Sequence, residues 1–293
     1  MMNDKKINTL ENLEQPDNDS LSVVEAKVSK PIHYISLGAG VQSSAMALMA
    51  KHAIIEPMPE FAVFADTQAE PESVYEWLDW LKDQLPYPVF IVTKYNLEEA
   101  STNLRVSKNG NNYAKLAIPA YIVDANGSKG IMMRQCTVES KIIPINSFVR
   151  KRIGRKAEAV EWMGISVDEI SRMKDSRDKW KTKRYPLVDL NMSRNDCLRW
   201  MRENNYPEPP RSSCVFCPYH SNKEWQRLKE KEPESFQRAV EYEKKYQKTY
   251  KQVKNFRGTP YLHKSLKPLS EAEIGEGNQI NLFNNECEGY CGV

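Results

Sequence analysis

Apolar positions fall into short blocks separated by turn residues, and their period changes along the chain. Ile32, Tyr34, Ile35 and Leu37 form a run that predicts a strand. Gly38 and Gly40 interrupt it, and the strong helix formers of Ala-Met-Ala-Leu-Met-Ala from Ala45 predict a helix. Phe61-Ala-Val-Phe-Ala65 is apolar at every position, which predicts a central strand buried on both faces and ending at Asp66 and Thr67. Behind Pro71 and Glu72, which suit a first helical turn, Val74, Trp77, Leu78, Leu81 and Leu85 recur at helical spacing. A third strand is predicted at 89–93. Alternating strands and helices of this length are the pattern of a parallel sheet with crossover helices, whose ligands sit beyond the carboxyl ends of the strands.

The second half is less regular. The 100–130 stretch, with Asn109-Gly110 and Asn126-Gly127, reads as an insertion or hairpin, and its apolar piece 118–123 as a strand. Pro144 fits a helix start, and Ala159-Val-Glu-Trp-Met163 predicts another buried strand running into Gly164-Ile165. Tyr185-Pro186-Leu187-Val188 reads as extended. Ser193 and Asp196 open a capped helix over 193–204 in which Cys197 reads as a core residue. From Glu224 to Lys251 the chain is charged and helical, with Trp225, Leu228, Phe236, Val240 and Tyr246 as the stripe of a solvated helical pair covering the core.

With 293 residues, 40% of them hydrophobic, the chain can form one large domain with a substantial appendage. The expected division is a flexible arm over 1–30, an α/β nucleotide-binding domain over 31–206, and a cysteine motif with a charged helical region over 207–293. The net charge is only +3. Lys and Arg nevertheless crowd 150–184 and 223–267, which suggests phosphate-bearing partners and makes a DNA or RNA acceptor plausible. No run of 18 apolar residues exists and the first residues lack an apolar signal core, so the expectation is a cytoplasmic protein with no membrane partner. In such a compartment Cys136, Cys197, Cys214, Cys217, Cys287 and Cys291 read as ligands, catalytic thiols or core residues rather than disulfides.

Two stretches carry chemistry. In Ser36-Leu-Gly38-Ala39-Gly40-Val-Gln42-Ser43-Ser44, two glycines let successive amides converge ahead of a helix N-terminus, a phosphate cradle. No Gly-Lys-Ser/Thr follows, and the spacing is not that of the dinucleotide fingerprint. Cys214-x-x-Cys217 puts two thiols on one turn, the spacing at which one metal or one cluster edge can take both. His220 and Cys136 are available to complete such a site.

Several separated motifs together resemble the phosphoadenosine phosphosulfate reductase-like family of the PP-loop, adenine nucleotide alpha-hydrolase-like superfamily, over roughly 32–220. Gly38-Ala-Gly40-Val-Gln42-Ser43 stands at the family's Ser-Gly-Gly-x-Asp-Ser loop. Asp66-Thr67 with Glu70-Pro71-Glu72 resembles its Asp-Thr-Gly…Pro-Glu-Thr element, and Cys136-Thr-x-x-x-Lys141-x-x-Pro144 its Cys…Lys…Pro segment. Gly164-Ile165 with Asp168-Glu169-Ser171-Arg172, and Tyr185-Pro186-Leu187, follow in the family's order. Gln42 replaces the loop aspartate, Gln68 a glycine, and Ser166 an arginine. Glu286-Cys287-Glu-Gly is only loosely similar to the reductases' catalytic tail.

The resemblance implies a doubly wound parallel α/β sheet (PP-loop, HUP-like) with a helical, cysteine-containing C-terminal region. It implies ATP or an adenylyl-sulfate-type nucleotide bound by Ser36, Gly38, Ala39, Gly40, Gln42, Ser43, Ser44, Thr67 and Gly164. Asp66 is then expected on the ribose or on Mg2+, with Lys141 and Arg172 neutralising phosphate charge. Cys136, Cys214 and Cys217 are expected either to hold a [4Fe–4S] cluster or, with His220, Zn2+; Cys287 and Cys291 are candidate catalytic thiols or a further ligand. The implied reaction is sulfur transfer (thiolation) or adenylylation, with a sulfur donor protein or thioredoxin as partner. The alternatives are a thioredoxin-dependent phosphosulfate reductase and a non-catalytic nucleotide- or nucleic-acid-binding module.

Overall fold

Five parallel strands form the centre of the molecule: β1 (Ile32–Leu37), β2 (Phe61–Ala65), β3 (Val89–Val92), β8 (Ala159–Met163) and β9 (Lys181–Arg184), in the spatial order β3-β2-β1-β8-β9. The structure is a computed structural model that describes residues 30–275. Helices α1 (Val41–Lys51), α2 (Glu72–Gln84) and α6 (Arg194–Glu203) cover one face, where Ile35, Leu37, Ala62, Phe64 and Trp162 meet Trp77, Leu78, Cys197 and Met201. Helix α4 (Ile143–Ile153) covers the other, where Tyr34, Phe61, Val63 and Met163 meet Ile145 and Val149. The fold is therefore α/β with a doubly wound parallel sheet. Because alternate residues of each strand enter different cores, the apolar blocks in the sequence have no polar face.

Between β3 and α4 the chain leaves the sheet. It forms α3 (Leu97–Thr102), the hairpin β4 (Leu104–Val106) and β5 (Asn112–Ala114), and the pair β6 (Tyr121–Val123) and β7 (Lys129–Ile131). Strand β10 (Thr259–Tyr261) adds to β6 antiparallel, Tyr261 opposite Tyr121. A third core joins this excursion to α7 (Asn222–Lys231) and α8 (Pro233–Tyr250). Trp225, Leu228, Val240 and Tyr246 are buried in it as the helical stripe predicts, with Phe236 half-buried. Phe216, from the Cys-x-x-Cys turn, stacks on Tyr242 at 3.8 Å between ring centroids.

Residues 185–188 differ from expectation. The strand lies earlier, at β9, and Pro186 opens a one-turn helix, α5 (Pro186–Asp189). An edge strand needs no apolar run, so Lys-Thr-Lys-Arg carries no strand signal, whereas proline at a first helical position is favourable. The capping box of α6 is as expected, Ser193 accepting from the Asp196 amide and Asp196 from the Ser193 amide, and Cys197 is fully buried. Among the described residues, no helix is long and apolar enough to cross a membrane.

Candidate functional site

From β1 the chain winds outward through β2 to β3, then returns to the other side of β1 as β8 and β9. The topological switch point therefore lies between β1 and β8, the place where parallel sheets open a crevice at their carboxyl edge. The turn after β1 is the glycine loop. Ala39 takes a left-handed backbone (φ 57°), and Ser43 Oγ closes the loop by accepting from the Gly38 amide and donating to the Gly40 carbonyl, both at 3.3 Å. No side chain caps α1, so its first-turn amides are left for a ligand. Ser36 Oγ, at the end of β1, is buried and unpartnered among the described residues.

Strand β8 ends against this loop. A Cβ on Gly164 would lie 2.7 Å from Ser43 Cα, so only glycine allows the close approach. Ser166 Oγ and Glu169 each accept from Gln42 Nε2 at 3.4 Å, and Arg194 donates to Gln42 Oε1 at 3.1 Å. Gln42 is thus fixed by three partners on the β8 side. Arg172 pairs with Glu169, which brings it to this side of the crevice. Burial pushes the Glu169 carboxyl up, and Arg172 opposes the shift. Arg194 carried no signal in the sequence reading, since its approach depends on how α6 docks.

Asp66 and Thr67 follow β2 and diverge. Asp66 Oδ1 accepts from the Gln68 amide (2.7 Å) and from Tyr75 Oη (2.9 Å), while Oδ2 has no hydrogen bond among the described residues. That free oxygen on a half-buried carboxylate suits a magnesium ion or a ribose hydroxyl. Thr67 faces the other way, its Oγ1 3.3 Å from Cys214 Sγ.

Cys136, Cys214 and Cys217 line one cavity of about 30 Å³ together with Thr67, Lys141 and Phe216. The Cys-x-x-Cys turn is fastened to the loop behind β2 by the Val215 amide, which donates to the Ala69 carbonyl at 2.7 Å. Lys141 sits on a single π-helical turn (Val138–Ile142) ahead of α4 and forms a buried pair with Glu70 at 3.6 Å. Glu70 also lies 3.9 Å from Cys214 Sγ. Burial raises all three thiols, Cys217 to about 11, with Lys141 opposing the shift in each. The Glu70 carboxyl is likewise raised by burial, against the pull of Lys141. Lys141, expected on the nucleotide phosphates, belongs to this cavity.

His220 does not line it. Its Nε2 donates to the Cys214 carbonyl at 3.0 Å and its ring meets Trp225 edge-on, so the imidazole braces the turn. Among the described residues no group of three or more His, Cys, Asp or Glu side chains is arranged to hold one metal ion. The expected zinc set of Cys136, Cys214, Cys217 and His220 is therefore not assembled. Nor do the residues fit a [4Fe–4S] cluster as they stand: about 30 Å³ is room for a water or two, and a lysine ammonium occupies the wall. Cys287 and Cys291 lie outside the described residues.

No protein-family model matches the chain, and no curated protein matches it. Among solved structures it is similar to a phosphoadenylyl-sulfate (PAPS) reductase from Candida auris in a phosphate complex. The match has 15% identity, a TM-score of 0.38, and covers 63% of this chain and 78% of that one.

Proposed function

We propose that the protein is a PP-loop, nucleotide-dependent enzyme that binds ATP or an adenylyl-sulfate-type nucleotide and uses it for adenylylation or sulfur transfer. The observation that supports this most directly is the glycine loop closing on Gly164 at the switch point, one strand away from the turn that Asp66 shares with the cysteine cavity. The α1 amides and the Ser36 hydroxyl hold the phosphates, with Ser43 closing the loop that presents them. Asp66 takes the ribose or Mg2+, and Arg172 and Arg194 offset charge that develops on the β8 side. An acceptor carbonyl oxygen attacks the α-phosphorus, forming an O–P bond and breaking the α,β-anhydride, and pyrophosphate leaves. Sulfur at the sulfide level, from a donor protein, then attacks the same carbon and expels AMP.

The test is ATP turnover by the full chain with candidate DNA and RNA acceptors. Pyrophosphate and AMP in equal amounts support the reading, and loss of both in Asp66→Ala supports that residue's place. Thioredoxin-dependent sulfite release from phosphoadenylyl sulfate, without pyrophosphate, would replace it by a reductase. Nucleotide binding without turnover would leave a binding module.

A further inference from the structure

Several cations of the basic runs are engaged inside the fold. Arg150 donates to the carbonyls of Gly154, Arg155 and Ala157 and lies over Trp180. Arg152 lies over Phe61 and Phe90. Lys181 pairs with the buried Glu161 at 2.7 Å, and Arg184 donates to the Glu56 carbonyl at 2.6 Å. Two cations outside those runs meet no carboxylate among the described residues. Arg105, on β4, makes no hydrogen bond or ion pair among the described residues. Lys115, just past β5, meets no carboxylate among them, and its ammonium lies 3.5 Å from the centroid of the Tyr95 ring.

Both cations line one groove of about 280 Å³, with Tyr95, Asn96, Glu99 and Asn103. Tyr95 and Asn96 follow β3, so the groove opens at the carboxyl edge of the sheet, on the side of β2 away from β1. It is tied to the Asp66 turn: Asn96 Nδ2 donates to Gln68 Oε1 at 3.0 Å, and the Leu97 amide to the Thr67 carbonyl at 3.1 Å. Lys94 lies 4.9 Å from the same Tyr95 ring but is already paired with Glu139. With both ammoniums against it, the ring is a post that positions charge rather than a platform for stacking.

We propose that this groove is a second phosphate subsite, in which Arg105 and Lys115 bind the phosphate ester of a nucleotide or of a polynucleotide strand. A guanidinium fork beside a point-charge ammonium suits the several oxygens and the greater charge of a phosphate better than a carboxylate. The volume approaches that of small-ligand pockets, more than a bare ion fills, and Glu99 and Asn103 are placed for hydroxyls or base N–H groups. That the bound molecule is the acceptor rests on the reading of the glycine loop; that it carries phosphate does not.

The experiment measures binding of cytidine monophosphate and of a short single-stranded oligocytidylate to the full chain, with ATP present to occupy the glycine loop. Arg105→Gln and Lys115→Gln are each expected to weaken binding roughly tenfold, and the double variant roughly a hundredfold, since a charged hydrogen bond is worth about one decade. Lys129→Gln, on exposed β7, should leave binding as in the wild type. An oligonucleotide that binds much more tightly than the monophosphate identifies a strand as the source, and equal affinities identify a mononucleotide. The inference is overturned if the double variant binds both ligands as the wild type does, or if Lys129→Gln weakens them as much. ATP affinity, measured separately, stays unchanged in both groove variants; absence of ATP binding in the wild type would sink the glycine-loop reading and leave the groove result standing.

Discussion

Asp66 and Thr67 are consecutive, yet each belongs to a site built on a different plan. On the glycine-loop side no side chain caps the α1 amides, and the Gln42 side chain beside them is fixed by Ser166, Glu169 and Arg194. On the cysteine side the groups are side chains: three thiols and an ammonium line a small cavity, and the carboxylate of Glu70 pairs with that ammonium. The first is pre-organised for an anion and needs no desolvated charge of its own. In the second, burial pushes the thiols up and the Lys141 ammonium is paired with Glu70. Fixed dipoles suit phosphate binding, whereas a buried neutral thiol is slow to oxidise.

The sharpest way to break this contrast is Glu70→Ala, which leaves Lys141 buried without its partner. It is expected to cost about 3–5 kcal/mol of unfolding free energy, measured by urea titration. Glu70→Ala with Lys141→Met should recover most of that loss; additive losses would show that the pair is not coupled. Gly164→Ala attacks the other side. The added Cβ forces β8 away from Ser43, with an expected cost of about 1–3 kcal/mol and nucleotide affinity at least roughly tenfold weaker by calorimetry. Unchanged affinity would mean that the close approach does not shape the cradle.

A smaller effect is the pH dependence of the thiols. The unfolded chain releases their protons near the ordinary thiol pKa of about 8.5, while the folded chain keeps that of Cys217 up to about 11. The stability this thiol contributes is fully present below pH ~8.5 and falls as pH rises toward 11, by at most about 1.4 kcal/mol per pH unit. Cys217→Ala should lessen, without abolishing, the fall of the urea midpoint over that window, since burial raises Cys136 and Cys214 too, and iodoacetamide at pH 8 should label the folded protein far more slowly than the unfolded one. Smallest is Tyr75→Phe, which removes one donor from Asp66. It should cost about 0.5–1.5 kcal/mol by thermal melting, with a modest loss of nucleotide affinity if Asp66 needs that hydrogen bond for its orientation.

Where the physics is local, residues and structure agree. The glycine loop, the buried strands β1, β2 and β8, the Ser193 capping box and the core position of Cys197 all follow from neighbours within a few residues. Where a residue's role depends on what lies across the fold, agreement ends. Strand β9 is polar because it is an edge. Lys141 lies with the cysteines because the π-helical turn aims it at Glu70, and His220 braces a carbonyl because Trp225 and the Cys214 turn enclose it. The 150–184 basic run, which suggests a polynucleotide surface, sends Arg150, Arg152, Lys181 and Arg184 to carbonyls, rings and a carboxylate. No spacing in the chain distinguishes a spent cation from a free one.

The sequence by itself determined the alternation of strands and helices, the turns that place polar groups at strand ends, and the glycines that free those turns. Each of these depends on backbone angles and on burial period, which a short window of residues encodes. Only the tertiary structure decided which strand ends are adjacent, that Thr67 and Lys141 line the cysteine cavity, that three cysteines meet there without His220, and that Arg105 and Lys115 share a groove. Those outcomes depend on sheet order and helix docking, set by contacts between residues about 150 apart in sequence, such as Thr67 with Cys214 and Gln42 with Arg194.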